Sequence, residues 1–375
     1  MDTADIVIAG GGIAGASMAY FLVQQGVNKI MLLEREATLA HHSSGRSAAI
    51  NLEWDADPVI RDLQLLSRDF FYDPPDGFTD PDAPIFHRTG VLDVVAPDDL
   101  HLLEPQVLAS QATGIAVERW TSDEACARIS LLIEEYVGGG VYFPNCGNIA
   151  VHELLTAYLK HARNDGVQVR TGTEITSVDC TAGRISAVHT TQGTISTPCL
   201  VNAAGAWADS LYALAGGTPL GITPMRRTII VPTPPDWYEP GPWPFVHDLS
   251  HHFYMRPEGH SIIASPMDED PIEPCNARPD MLRVAEIADR LERWTRLTVG
   301  NIDQRWAGLR SFAPDRRPVV GDDPHIEGFF WLAGQGGVGM LTSPSLSRIA
   351  AELLVHGETT LMDTAALSPA RLTTT

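Results

Sequence analysis

The first 36 residues constrain this chain more than any other stretch. An apolar run, Ile6-Val7-Ile8-Ala9, enters the glycine turn Gly10-Gly11-Gly12-Ile13-Ala14-Gly15. A helix-like segment follows, then a second apolar run, Ile30-Met31-Leu32-Leu33, which ends on Glu34. Strand, glycine turn, helix, strand and acid in this order form a unit that can hold a dinucleotide. Gly10 permits the tight turn, Gly12 lets the backbone approach a pyrophosphate, and Gly15 lets the helix pack close to the strand. The helix N-terminus, from Ile13 and Ala14, offers unpaired N–H groups to phosphate oxygens. Glu34 is placed to accept hydrogen bonds from a ribose diol.

Bulk properties narrow the partners. The chain has 375 residues and ample apolar content for one large unit or two interwoven domains. A net charge of −21 argues against nucleic acid or an anionic membrane surface as partner. Lysine occurs only at positions 29 and 160, so most positive charge is guanidinium. Five scattered cysteines without a C-x-x-C pattern fit a reducing cytoplasm rather than a disulfide framework or a zinc site. His41-His42 and His251-His252 lack the spacing of a metal site, so no metal is expected. Neither a signal peptide nor an apolar run long enough to span a bilayer is found, which predicts a cytoplasmic location with no membrane span.

Along the chain, helices are expected over 57–71, 121–135, 151–165, 279–297 and 343–356. Strands are expected at 90–95, 141–143, 167–170, 175–179, 185–190, 193–198, 199–204 and 329–333, with 306–321 extended. Parts able to bind a nucleotide come from the beginning, middle and end, so that domain is discontinuous. The expected division assigns 1–86, 148–223 and 301–375 to it, and 87–147 and 224–300 to a second, substrate-binding domain. The fold class is α/β with an α+β character: a Rossmann-like nucleotide-binding domain joined to a discontinuous antiparallel sheet, with ligand between the two.

Several ordered segments carry a resemblance. GGGIAGAS (10–17), LEREA (33–37), HHSSGRSAA (41–49), VNAAGAWAD (201–209), ITPMRRT (222–228), WAGLRSFAPD (306–315) and GFFWLAGQGGVGMLTSP (328–344) resemble the FAD-dependent D-amino-acid oxidase (DAO) superfamily. That group includes glycine and sarcosine oxidases, and the chain looks most like its bacterial D-arginine and D-amino-acid dehydrogenases. The resemblance implies a glutathione-reductase type of FAD-binding domain and FAD as cofactor. No cysteine follows Cys275, so the FAD is expected to be noncovalent. Glu34 and Arg35 would face the adenosine, with Ile175 meeting adenine. Ser43, Ser44, Gly45, Arg46, Ser47 and Ala48 would wrap the pyrophosphate and flavin edge. Ala203, Ala204 and Gly205 would lie near the ribityl chain, and Gly336, Gly337, Val338, Gly339 and Met340 near the pyrimidine end.

The same resemblance places a substrate carboxylate on Arg310 and Tyr254, with Arg227, or Arg226 in the neighbouring register, as a further contact. Guanidinium suits this role because it grips both oxygens in one plane. The plain alternative for Arg310 is a buried pair with Asp315. Gly337 would offer its carbonyl to the substrate amine. The implied reaction is hydride transfer from Cα to flavin N5, the imine then hydrolysing to a 2-oxo acid and ammonia. Thr89 stands where the D-arginine dehydrogenases hold a glutamate against the basic side chain, so arginine selectivity is not expected unless Glu53 or Asp55 substitutes. Ile50, Asp55 and Leu341 replace a histidine, a tyrosine and a glutamine of those relatives. His247 is a candidate for substrate contact or proton transfer, or a solvated histidine beside Asp248. Alternatives are a glycine/sarcosine-type or 2-hydroxy-acid flavin oxidoreductase, or a flavoprotein subunit with little activity of its own. The electron acceptor and oligomeric state are not legible in the sequence.

Overall fold

The computed structural model describes residues 2–373. Ile6–Ala9 lies inside a six-stranded sheet whose order is Gln168–Arg170, Ile30–Leu33, Ile6–Ala9, Leu200–Asn202, Phe329–Ala333 and Val319–Asp322. Every neighbouring pair is parallel except the last. The middle strands read as continuous apolar runs because both faces are covered. The alternation of side chains settles which face each residue serves. Ile6 and Ile8 pack with the helices Ile13–Gln24, Val151–Asn164 and Ser343–His356. Val7 and Ala9 pack with Ile185, Val188 and Ile195 of a four-stranded sheet and with Leu211 and Tyr212 of the helix Ala208–Leu214.

The second layer is a nine-stranded sheet. Its path runs Asp270–Pro271, Thr223–Pro232, Ser261–Ser265, Phe253–Glu258, Phe245–Asp248, Val91–Val95, Gly139–Phe143 and Glu118–Thr121. Ile302–Phe312 adds the ninth strand, antiparallel to Thr223–Pro232 from Phe312↔Thr223 to Ile302↔Pro232. One face carries Leu92, Val94, Val246, Met255 and Ile262 beneath Val284, Ile287 and Leu291 of the helix Met281–Trp294. The other carries Val91, Val95, Ile229, Phe245 and Tyr254 against Ala48 of the loop that follows the first βαβ unit.

Three expectations change. The helix expected over 121–135 stops at Arg128, after starting on a Thr121/Glu124 capping box. Ile129, Leu131 and Leu132 are then buried in the core under the nine-stranded sheet, and main-chain pairing of Leu131 and Leu132 with 295–296 holds them off the helix. Tertiary burial overrides helix propensity here. The extended stretch 306–321 divides, because a turn at 313–318 carries the chain from the nine-stranded sheet into the six-stranded one. The strand Ile302–Phe312, assigned above with the nucleotide-binding parts, therefore belongs to the other sheet. An unexpected helix, Glu104–Thr113, follows a 3-10 stretch at Pro97–Leu103.

Candidate active site

The glycine turn is shaped by close approach. Gly10 has φ +115, and a Cβ there would lie 2.3 Å from the Ala203 carbonyl oxygen; one on Gly15 would lie 1.9 Å from that of Gly10. Strand, turn and helix thus meet with no space for a side chain, leaving the helix N-terminus open beside the sheet. The Ile13 N–H donates to Ser44 Oγ at 2.9 Å, so the 41–47 loop folds over that end. Glu34 is buried; its Oε2 accepts from the Gly11 N–H and its Oε1 from the Glu36 N–H, each at 2.8 Å. The carboxylate is fixed in place with lone pairs to spare for hydroxyl donors.

A cleft holding about 1250 Å³ of empty space opens at this point. It is lined by Gly10, Gly12, Ile13, Ala14, Glu34, Arg35, Ser43, Ser44, Ile175, Ala203, Ala204, Gly205, Gly336 and Gly339. Trp207, which sequence reasoning missed, forms one wall. The Arg35 guanidinium carbon lies 3.8 Å from its ring centroid, and the His42 ring centroid lies at 4.6 Å. His42 Nε2 is also 2.9 Å from Glu36 Oε1, and burial pulls its pKa down despite that carboxylate. The signal was present, since Trp207 sits at the second strand-to-glycine junction. Gly45 lines neither cavity, and its N–H donates to the Ala40 carbonyl. Val338 packs against the core beside the first helix and lines neither cavity described here. The Arg46 guanidinium is directed to the carbonyls of His41 (3.1 Å), Ala277 (2.9 Å) and Ala307 (3.0 Å). It ties the loop to the nine-stranded sheet and lines the second of the two cavities, not the cleft.

A second cavity continues from the first, sharing Ile13, Ser43, Ser44, Leu309, Gly336 and Gly339 as lining. Its other walls include Ser47, Ala48, Ile229, Gly337 and Met340. Into it come Arg227, Tyr254 and Arg310. Arg310 is half-buried, and its guanidinium makes no hydrogen bond or ion pair among the described residues. Asp315, the alternative partner, is bound to Arg371 at 2.7 Å. Gly337 lies so close that a Cβ on it would sit 2.8 Å from Arg310 Nη1. The Tyr254 hydroxyl is buried without a partner. Arg227 is 4% exposed; its Nε donates to the Asp268 carbonyl at 2.8 Å and Nη2 to Glu269 Oε1 at 3.0 Å. Burial, reinforced by the like charge of Arg310, lowers its pKa to about 10, so it stays charged at neutral pH. Arg226, on the opposite face of the strand, is bound to Asp280 at 3.0 Å and Asp270 at 3.5 Å.

His247 lies outside both cavities. It sits in a strand, directly across from Tyr254, and its Nδ1 is 3.4 Å from Asp93 Oδ1. Asp248 instead accepts from His251, whose ring stacks on Trp294 at 3.7 Å. Glu53 is buried and accepts from the Tyr72 hydroxyl at 2.7 Å. Asp55 is pushed up by burial. Neither acid lines either cavity, and the Thr89 hydroxyl is buried without a partner.

Two joined cavities, with a glycine turn and a helix N-terminus at one end and the partnerless Arg310 guanidinium and Tyr254 hydroxyl at the other, suit a dinucleotide carrying a planar redox ring. The comparison with known families decides the group. The DAO profile, described as FAD dependent oxidoreductase, matches residues 5–353. The chain belongs to this family of FAD-dependent oxidoreductases. It is 26% identical over 407 residues to the hydrogen cyanide synthase subunit HcnC of Pseudomonas aeruginosa, covering 98% of this chain and 96% of that one. It is also 26% identical over 382 residues to mitochondrial sarcosine dehydrogenase of Mus musculus, with 95% of this chain covering 40% of the longer protein. The L-proline dehydrogenase of P. horikoshii shares the fold, with a TM-score of 0.86, 23% identity and coverage of 99% and 98% of the two chains. Among the described residues no helix is long and apolar enough to cross a membrane.

Proposed function

We propose that this flavoenzyme oxidises the Cα–N bond of an amino acid with a neutral, small side chain, the D-configured acids being the leading substrates. One observation carries the reading: the partnerless Arg310 guanidinium beside Gly337, in a cavity continuous with the FAD cleft. An unpaired buried-side guanidinium is costly to maintain unless an anion arrives to meet it.

In this arrangement Arg310 grips both oxygens of the substrate carboxylate and Tyr254 donates its free hydroxyl to one of them. Arg227, paired with Glu269, forms the cavity wall beside them. The Gly337 carbonyl accepts from the substrate amine and orients it, while the positive charge of Arg310 nearby favours the neutral amine needed before the Cα hydrogen leaves. Held at two points, Cα presents one face to the flavin, so the contribution is mainly positional. Bound FAD supplies the two-electron acceptor. No acidic side chain lines the second cavity, so a guanidinium or ammonium on the substrate side chain would find no counter-charge. The glycine turn, Glu34, Ser43, Ser44 and Ala203 to Gly205 would hold the FAD noncovalently. His247 takes no part in these contacts. The last FAD-binding segment begins after the strand Ile302–Phe312, which pairs in the nine-stranded sheet. Cysteine usage supports a cytoplasmic setting.

A second reading, oxidation of an N-alkyl glycine or cyclic imino acid, is favoured by relatives named for sarcosine and L-proline. The test is anaerobic bleaching of the flavin by a panel of D-, L- and N-methyl amino acids, proline and 2-hydroxy acids. Bleaching by small neutral D-amino acids supports the first reading and bleaching by the secondary amines the second. FAD-loaded protein that no amine bleaches would overturn both.

A further inference from the structure

Resting on that reading of the carboxylate clamp, we propose that Glu269 sets its charge and so restricts it to amino acids bearing a single carboxylate. Two guanidiniums, Arg227 and Arg310, enter the second cavity. Two positive charges side by side would favour a dianion, such as an amino acid with a second carboxylate on its side chain. The structure cancels one of them. Glu269 Oε1 accepts from Arg227 Nη2 at 3.0 Å, on the wall side of that guanidinium. The adjacent Asp268 carboxylate, which accepts from the Thr228 N–H (2.6 Å) and hydroxyl (2.8 Å), also acts on Arg227 through its charge, but Glu269 is the carboxylate that bonds that guanidinium. Arg46 also lines the cavity and keeps its charge, but its guanidinium is fixed by the carbonyls of His41, Ala277 and Ala307 and by Asn276 Oδ1, apart from the Arg227 and Glu269 pair. Of the two clamp guanidiniums, only that of Arg310 has no carboxylate beside it.

Glu269 is itself held from outside. Its Oε2 accepts from Arg316 Nη2 at 2.8 Å, and Arg316 lies over the Phe312 ring with its Cζ 3.9 Å from the centroid. That ring fills the space a Gly336 side chain would need, a Cβ there falling 2.2 Å from it. The counter-charge is thus braced against the loop that borders both cavities and cannot swing away without losing Arg316. Glu269 does not line the cavity, so it acts through Arg227 as a positioning and charge-setting residue.

The experiment uses the FAD-loaded protein titrated with malonate and with its monoamide, malonamate, following perturbation of the flavin absorption spectrum. Wild type should bind the monoamide at least as tightly as the dianion. Glu269→Gln should shift the affinity ratio about tenfold or more toward malonate, while Glu269→Asp, which keeps the charge, should stay near the wild-type ratio. A Glu269→Gln ratio within about twofold of wild type would overturn the inference, as would equal shifts in both variants. If the glutamine variant does not fold, wild type alone decides: malonate binding about tenfold tighter than the monoamide refutes a single unmatched charge. Failure of the underlying clamp is seen separately. In that case neither carboxylate perturbs the wild-type flavin, or Arg310→Ala leaves both affinities unchanged.

Discussion

Replacing Arg310 with alanine separates a substrate-binding guanidinium from a structural one. In the protein alone this side chain has no hydrogen-bonded or ionic partner among the described residues, and it is half-buried. Its removal therefore costs the fold little beyond packing of its stem, within about 1 kcal/mol of wild type. The cost to the reaction is larger. Hydrogen bonds to charged groups are worth about 1.5–3 kcal/mol each. Two such bonds to a carboxylate, partly replaced by water in the variant, leave a loss of about 3–4 kcal/mol. At about 1.4 kcal/mol per decade this is a fall of about 10²–10³ in kcat/KM. The assay pairs the rate of anaerobic flavin reduction by the best substrate with the FAD-to-protein absorbance ratio and a thermal melt. Reduction within about threefold of wild type, with FAD retained, would refute the clamp. A melt lowered by ten degrees or so, with FAD lost, would instead assign Arg310 a structural role.

Four further outcomes follow from the same geometry. Gly337→Ala places a Cβ 2.8 Å from Arg310 Nη1, so it should lower kcat/KM about tenfold or more with FAD retained; an unchanged kcat/KM refutes the close packing. Tyr254→Phe removes a buried hydroxyl without a partner, so the melting temperature should hold or rise slightly while KM rises about three- to thirtyfold; a clear drop in melting temperature would reveal an unseen structural bond. Gly10→Ala combines φ +115 with a 2.3 Å clash, and the purified protein should contain little FAD and be destabilised by about 2 kcal/mol or more, as read by absorbance and denaturant unfolding. Asp270, beside Arg283 and then Arg226, has its pKa held below the ordinary value. A depressed folded-state pKa gives stability that is present above the unfolded value near 3.9 and is lost as pH falls through the folded one. Acid unfolding of Asp270→Asn should therefore depend less steeply on pH below about 4, and identical acid limbs would count against the pairing.

The first βαβ unit could be read directly because each of its parts is local. Apolar strands, a turn requiring Gly10, and an acid at the second strand's end follow from backbone sterics and side-chain alternation over a few dozen residues. The helix expected over 57–71 is local in the same way: Asp57 accepts from the Val59 N–H and Pro58 opens the helix Pro58–Tyr72. The proposed carboxylate clamp was only partly legible. Arg310 and Tyr254 were named through a resemblance, but nothing local distinguishes an unpaired arginine from one bound to Asp315. Nor does the sequence alone choose between Arg226 and Arg227, because neighbouring strand residues face opposite sides and only the sheet's placement says which side holds the cavity. His247 shows the limit from the other direction: a candidate for substrate contact in the sequence, it is set by its strand register beside Asp93 and Tyr254 and lines neither cavity. Glu269 carries no sequence signal at all, since its role exists only where Arg227 and Arg316 converge on it. The sequence determined the nucleotide-binding frame, because its geometry is dictated by short-range sterics. Tertiary structure decided which charges remain unmatched, because that depends on partners brought together from strands far apart in the chain.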